Sequence, residues 1–157
     1  FKEALRQWVA GVTIITTAHN GEMRGMTASS FTSVSLDPHL ILIAVAESAS
    51  PYALIKESGI FAANILHTRQ VEWAKRFAGM TPEIADRFFD IDYTTAETGA
   101  PILPDIIGWV DCRVHSTHKA GDHAIFVGEV VAAQGIGGKP PLLYYNHNWG
   151  QFNILLE

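Results

Sequence analysis

An antiparallel β-barrel with helical additions is the fold the sequence predicts, on three observations. Strand-like runs clearly outnumber helical ones, and several are joined by hairpin-length turns. The alternation of strand and helix that builds a parallel sheet is missing. At 157 residues the chain has one domain's length, 1–157, and can bury a core without disulfides or a structural metal.

Phe1, Ala4, Leu5, Trp8 and Val9 fall at helical spacing, so the chain opens on a short helix that stops by Gly11. It opens inside that pattern with no Met or basic leader, as expected of a sequence trimmed from a longer one. Every residue from Val12 to Thr17 is β-branched, Asn20-Gly21 is a strong hairpin turn, and Met23 to Ser29 returns as the second strand. Leu40 to Ala46, after Pro38, is apolar with little alternation, as for a strand covered on both faces. Ser50 reads as the N-cap of a helix Pro51 to Ser58 that Gly59 ends. Ile60 to Leu66 reads as a strand, Gln70 to Ala78 as a helix, and Thr81-Pro82-Glu83 as the start of another ending near Phe89. Asp90 to Pro104 is polar, with Gly99 and two prolines, and reads as a loop. Trp109 to His115 and Ala124 to Ala132 are long strands joined through Lys119-Ala120-Gly121-Asp122, and Pro141 to Tyr145 is a short final one.

Hydrophobic residues make up 48% of the chain and charged residues 17%, more apolar surface than a small monomer hides, so a subunit interface is expected. A net charge of -5 without a run of Lys or Arg argues against a nucleic-acid partner. No apolar stretch approaches the roughly 20 residues that span a bilayer, so a soluble protein is expected. The lone Cys112 excludes an internal disulfide and a Cys-rich metal site, and suits a reducing compartment.

Gly25 to Ser35 packs six hydroxyls into eleven residues. Such hydroxyls, with backbone N–H groups, can hold phosphate or ribityl oxygens without a net charge, and an edge strand with Ser/Thr turns explains them equally well. His123, after Gly121-Asp122, stands at the mouth of a strand, where an imidazole can donate to a ligand or stabilise developing charge, or simply be a solvated turn residue. Gly128 within that strand suggests close approach of another backbone or a ligand. A metal site at His115, His118 and His123 is rejected, because odd spacing puts the first two on opposite strand faces and no carboxylate pair completes the set. No Gly-x-Ser-x-Gly elbow supports a hydrolase triad. Gly135 to Pro140 lacks the first glycine and the Ser or Thr of a phosphate loop, and no Gly-x-Gly-x-x-Gly follows a strand. Cys112, without a neighbouring histidine, reads as a core filler.

The chain resembles the short-chain flavin reductases, flavin reductase-like split-barrel proteins that supply reduced flavin to two-component monooxygenases. The matching pieces, in family order, are Ala10 to Thr17, Gly25 to Pro38, Ser58 to Leu66, Phe77-Ala78, Asp86-Arg87-Phe88, Gly121 to Val130 and Pro141 to Tyr145. The resemblance implies a mainly β split barrel with α additions, a homodimer, FMN or FAD as flavin, NADH or NADPH as hydride donor, and a flavin-dependent monooxygenase as partner, in the cytoplasm. It implies that Met26, Thr27, Ala28, Ser29 and Ser30 line the isoalloxazine and ribityl chain, with the last two toward the phosphate. Ser48 and Ser50 would hold phosphate or diphosphate oxygens. Asn64 with Ile65 and Leu66 would border the ring, and Phe77 and Ala78 would close its outer side. His123 and the segment Tyr144, Tyr145, Asn146 and His147 would meet the nicotinamide nucleotide, with His123 as the catalytic group. The chain departs from the family at Asn146-His147-Asn148-Trp149, where a Gly- or Arg-containing run is more common. A flavin-binding electron carrier without NAD(P)H activity is the alternative, since the same barrel would serve it.

Overall fold

The computed structural model describes residues 1–156. The β-branched run forms β2 (Thr13–His19), which turns through Asn20 and Gly21, both at positive φ (49° and 79°), into β3 (Glu22–Ala28). Asn-Gly is the pair that a two-residue hairpin turn of this kind demands. The sheet continues through β4 (Thr32–Leu36), β5 (His39–Ala46), β6 (Ile60–Ile65), β9 (Gly108–Ala120) and β10 (His123–Gly135), in the order β3-β2-β6-β9-β10-β5-β4. All of its pairings are antiparallel. It curls into a barrel that strand pairing does not close, leaving β3 and β4 as edges. Just before β4 the Ser30 hydroxyl bonds the next stretch of β5, donating to Ala44 O at 2.8 Å and accepting from Ala44 N at 3.1 Å.

Two apolar clusters flank β2 and β6. Ile15, Phe61, Ala63, Cys112 and Phe126 fill the barrel, while Ile14, Ala62 and Leu66 face a second layer with Phe77, Phe88 and Leu103. These two strands are therefore the ones buried on both faces. Leu40 to Ala46 was expected to be, but in β5 only Ile41, Ile43 and Val45 are buried, because nothing covers the outward side. Gly128 gives its room to packing: a methyl group there would stand 2.6 Å from Phe61 and 2.9 Å from Cys112. No ligand is needed to explain it.

Three helices attach to this frame. α1 (Lys2–Leu5) is shorter than the expected Phe1 to Val9 and buries nothing. α2 (Tyr52–Ser58) ends on Gly59 at φ 68° as expected, but Pro51 occupies the N-cap position and no side chain caps it, so Ser50 is not its cap. α3 (Val71–Phe77) follows a 3-10 turn at Thr68–Gln70. The helix expected from Thr81 to Phe89 does not form. Asp86 Oδ1 accepts from Phe88 N at 3.0 Å, Arg87 Nη1 donates to Gly25 O and Phe77 O, and the Phe88 ring meets Phe77 edge-on at 5.1 Å. Those tertiary contacts outweigh local helical preference.

The irregular stretch before β9 contains a small hairpin, β7 (Thr94–Thr95) with β8 (Pro101–Ile102), and buried polar groups hold it. The Asp111 carboxylate accepts from Glu97 N (2.9 Å), Thr98 N (2.8 Å) and Thr98 Oγ1 (2.5 Å). A second sheet pairs β1 (Ala10–Gly11) with β11 (Leu142–Tyr145) and β11 with β12 (Asn148–Gln151). The strand β12 was not expected. Its turn places Asn146 and His147 at φ 46° and 64°, a conformation that Asn and His tolerate better than most residues but that carries no glycine signal.

Candidate functional site

Three of the surface hollows lie along the open edge at β3. One cleft of about 600 Å³ lies between Met23, Arg24 and Gly25, the turn Ala85 to Phe88, and Ser50. Further along the strand a hollow of about 210 Å³ has apolar walls from Val12, Ala28, Ala78, Met80 and Trp149, with Thr27, Ser29 and Tyr144 at its polar points. Ser29 and Tyr144 also line a third hollow of about 370 Å³, bounded by Asn146, His147 and the N-terminal segment. The second and third hollows share Ser29 and Tyr144, and from Arg24 to Ser29 the strand advances about 17 Å at ~3.4 Å per residue, so the three lie in a row along the edge and are treated together as its groove.

The structure sorts the hydroxyl cluster. Thr27 Oγ1 donates to Ala74 O at 2.6 Å, tying α3 to β3, and Ser30 is engaged with Ala44. Ser35 accepts from Asp37 N at 3.3 Å in the β4–β5 turn. Ser29, exposed in the groove, has no protein partner among the described hydrogen bonds. A flat ring with a polar tail fits this donor set: an apolar slot with an unengaged hydroxyl and a phenol at one end.

Of the expected residues, Thr27, Ala28, Ser29, Ala78 and Tyr144 come together in the middle hollow, Asn146 and His147 join Ser29 and Tyr144 in the third, and Ser50 lines the first. Others stand elsewhere. Met26 points to the opposite strand face and packs on the barrel interior. Ser48 lies exposed in the turn after β5 and lines none of these hollows, and Tyr145 donates its hydroxyl to Gln7 Oε1 at 2.9 Å. Asn64, Ile65 and Leu66 were expected to border the ring, but β2 lies between their strand and β3. Asn64 is fully buried, its Nδ2 donating to Ile14 O (3.0 Å) and its Oδ1 accepting from Leu103 N (2.8 Å). Phe77 is 1% exposed and sits over Gly25, where a methyl group would come within 2.7 Å of its ring. It supports the groove from beneath rather than closing it.

His123 pairs across the sheet with Ala46 and Ala120 and faces outward, half-buried. Its Nδ1 lies 2.7 Å from Asp122 Oδ1. The hydrogen bond from His123, and then its charge, lower the Asp122 pKa below the usual carboxylate range. The pair is outside the groove's lining, yet the Ser30 bond to Ala44 brings the Ser29 end of β3 to β5 two residues from Ala46. Burial first, and then the Asp111 charge, push the Cys112 thiol up to about 12, which leaves it inert as expected. Among the described residues no group of three His, Cys, Asp or Glu could hold a metal ion, and no helix is long and apolar enough to cross a membrane.

Sequence reasoning missed several groove residues. Arg87 lay within a matched motif without a role assigned, and its guanidinium now both anchors Gly25 O and lines the first cleft. Arg24 beside it, and Met80 and Trp149 in the middle hollow, had no local signal, because which face they present depends on the turn after α3 and on the unexpected β12.

Comparison with known proteins extends the picture beyond geometry. The family model described as flavin reductase like domain matches residues 5–153. A flavin reductase of Pseudomonas putida is 35% identical over 153 residues, covering 97% of this chain and 88% of that protein. The reductase subunit HsaB of a flavin-dependent monooxygenase from Rhodococcus jostii (strain RHA1) is 37% identical over 145 residues, covering 92% and 73%. Among solved structures, the Streptomyces globisporus C-1027 NADH:FAD oxidoreductase SgcE6, in complex with NAD and FAD fragments, superposes with a TM-score of 0.89 at 33% identity, covering 97% of this chain and 90% of that one.

Proposed function

Because the chain belongs to the flavin reductase like domain family, we propose that it is an NAD(P)H:flavin oxidoreductase that passes hydride from a nicotinamide nucleotide to FMN or FAD and supplies reduced flavin to a partner monooxygenase. The observation that carries this is the match over residues 5–153, which spans every strand of both the open barrel and the smaller sheet. Relatives matched over nine-tenths or more of this chain include flavin reductases and a monooxygenase reductase subunit.

A flavin held along this edge would supply the hydride acceptor, and a nicotinamide nucleotide beside it the donor. The protein's task is to stack two flat rings within contact distance and stabilise charge beside them, which needs no protein nucleophile. In this chain the apolar slot of Val12, Ala28, Ala78, Met80 and Trp149 excludes water from ring faces, and the Ser29 hydroxyl holds polar atoms at its end. Arg24, Arg87 and Ser50 give the far end of the groove a cationic, hydrogen-bonding wall suited to phosphate oxygens. His123, fixed by Asp122, presents its other ring nitrogen outward for the nicotinamide half-reaction.

Steady-state and stopped-flow oxidation of NADH and NADPH with added FMN, FAD and riboflavin tests the activity and sets both preferences. Flavin that binds but is not reduced by either nucleotide would make the protein an electron carrier instead. Ser29→Ala is expected to weaken flavin binding about fivefold, the worth of a neutral hydrogen bond of ~1 kcal/mol, with an unchanged melting temperature. Ser30→Ala should do the reverse, lowering thermal stability with flavin affinity nearly intact; fluorescence titration and thermal melts of both variants separate the roles.

A homodimer in the cytoplasm completes the reading. Leu40, Leu42, Ala44, Ile125 and Val127 leave an apolar, half-exposed band on the outward face of β5 and β10, beside the exposed Leu36. Such a band suits an isologous interface, and a lone buried cysteine suits a reducing compartment. Light scattering at micromolar concentration should give twice the chain mass of 17.2 kDa; a monomer would remove the claim.

A further inference from the structure

Among the described residues His67 is the only buried histidine, 1% exposed, and the groove makes no use of it. It stands at the N-cap of the 3-10 turn Thr68–Gln70, which runs straight into α3, and both halves of the cap are made. Its Nδ1 accepts from Arg69 N at 3.1 Å, and its own backbone N–H donates to Gln70 Oε1 at 3.1 Å. The other ring nitrogen, Nε2, lies 3.4 Å from Asp105 Oδ2. Those partners fix the tautomer. A backbone N–H can only donate, so Nδ1 carries no proton. Asp105 accepts a hydrogen bond from Lys139 Nζ that holds its carboxyl below the usual carboxylate range, so it faces the ring as an anion and the proton sits on Nε2.

An imidazole placed in this way cannot take a second proton and keep the cap. That proton would sit on Nδ1, where it meets the Arg69 N–H, donor against donor. Pairing with Asp105 offers little in exchange, because that carboxylate is 65% exposed and already neutralised by Lys139. The remaining charges around the ring are Arg69 and Glu72, on the turn and on α3, and they are opposite in sign. The capped turn therefore holds one proton fewer than the opened turn, and acid favours opening. We infer that His67 is an acid-sensitive latch on α3: protonation at Nδ1 breaks the cap, loosens the start of the helix and with it the floor of the groove. Imidazoles exchange protons around and below neutrality, which is the window in which the latch works. Its reach into the groove is short. α3 supplies Ala74 O, bonded by Thr27 Oγ1 at 2.6 Å, and Phe77, packed against Gly25 of β3. The inference rests on the reading of that groove as the flavin site, and it makes flavin retention depend on pH through a residue outside the lining of all three hollows.

His67→Asn is the discriminating variant, since an Asn carbonyl can cap Arg69 N at any pH and does not titrate. Hydrogen exchange of the segment 68–78 in the full chain, read by mass spectrometry, should be alike in parent and variant at about pH 8. At about pH 5.5 it should be roughly fivefold to tenfold faster in the parent, the order expected for one lost buried hydrogen bond. Comparison at equal pH removes the intrinsic exchange rate. FMN affinity should follow the same split, falling about fivefold in the parent between the two pH values and holding in His67→Asn. Asp105→Asn, which removes the anion facing Nε2, should move the change to lower pH without abolishing it. Long-range nitrogen–proton spectra of the parent should show His67 as the Nε2–H tautomer at pH 8 and its titration in step with exposure of the Arg69 amide, a readout that stands even if the variant fails to fold. An Nδ1–H tautomer, protection of 68–78 that pH does not alter, or an equal pH response in His67→Asn would each overturn the latch. A parent that opens in acid but binds no FMN at either pH keeps the latch and sinks the flavin reading; one that binds FMN with 68–78 equally protected throughout does the reverse.

Discussion

His123→Ala is expected to slow flavin reduction, or raise the apparent NAD(P)H constant, by roughly tenfold to a thousandfold, the span of a lost positioning or charge-stabilising contact. The reason is the geometry of the pair. Asp122 holds one imidazole nitrogen at 2.7 Å and is itself fully solvated, so the remaining nitrogen is oriented outward beside the Ala46 position. Because the Asp122 pKa is lowered, its carboxylate stays ionised down through the usual carboxylate range, and the orienting contact is lost only as pH falls through that depressed value. Asp122→Asn, a positioning change, should cost less and alter the pH profile more than the flavin affinity. Anaerobic stopped-flow reduction gives the rate, and a parallel flavin titration should show little change. Reduction at the parent rate across the NAD(P)H range would make His123 a structural turn residue.

Asn64→Ala is expected to cost about 2–4 kcal/mol of stability while leaving the flavin affinity of the folded protein unchanged. Removing the carboxamide orphans the buried Leu103 N–H and the Ile14 carbonyl contact at once, each such loss costing about 1–3 kcal/mol, and leaves a small cavity besides. It also loosens the stretch before β9, which Thr16 Oγ1 grips at Pro101 O (2.6 Å) from the same buried spot. Urea denaturation monitored by tryptophan fluorescence measures the cost. A variant as stable as the parent that no longer binds flavin would return Asn64 to the edge of the ring.

How far the sequence could be read depended on whether local or distant contacts decide an element. The Asn20-Gly21 hairpin, the Gly59 helix stop and the β9–β10 pair are set by residues adjacent in sequence, and all three were legible. The segment Thr81 to Phe89 was misread because Arg87 and Phe88 are held by Gly25 and Phe77, far away in the chain. The same divide runs through the site. A cluster of hydroxyls marks strand β3, but only tertiary structure reveals that Thr27 and Ser30 bind backbone carbonyls while Ser29 does not. Asn64 was expected at the ring only through the family resemblance; in the structure its carboxamide is engaged by Ile14 O and by Leu103 N of the buried loop.

The unclosed barrel has a consequence for solubility. An edge strand carries backbone donors and acceptors ready to pair with any extended chain, and in most sheets such an edge is an aggregation hazard. Here the edge at β3 has to stay accessible if a ligand is to enter the groove, so it cannot be hidden under another strand. Side chains guard it instead. Arg87 occupies the Gly25 carbonyl, and Arg24, paired with Glu22, puts a charge on the strand itself. A foreign strand approaching this edge would have to displace a guanidinium and bury a charge, whereas a small planar molecule can slip between those guards without breaking any of them.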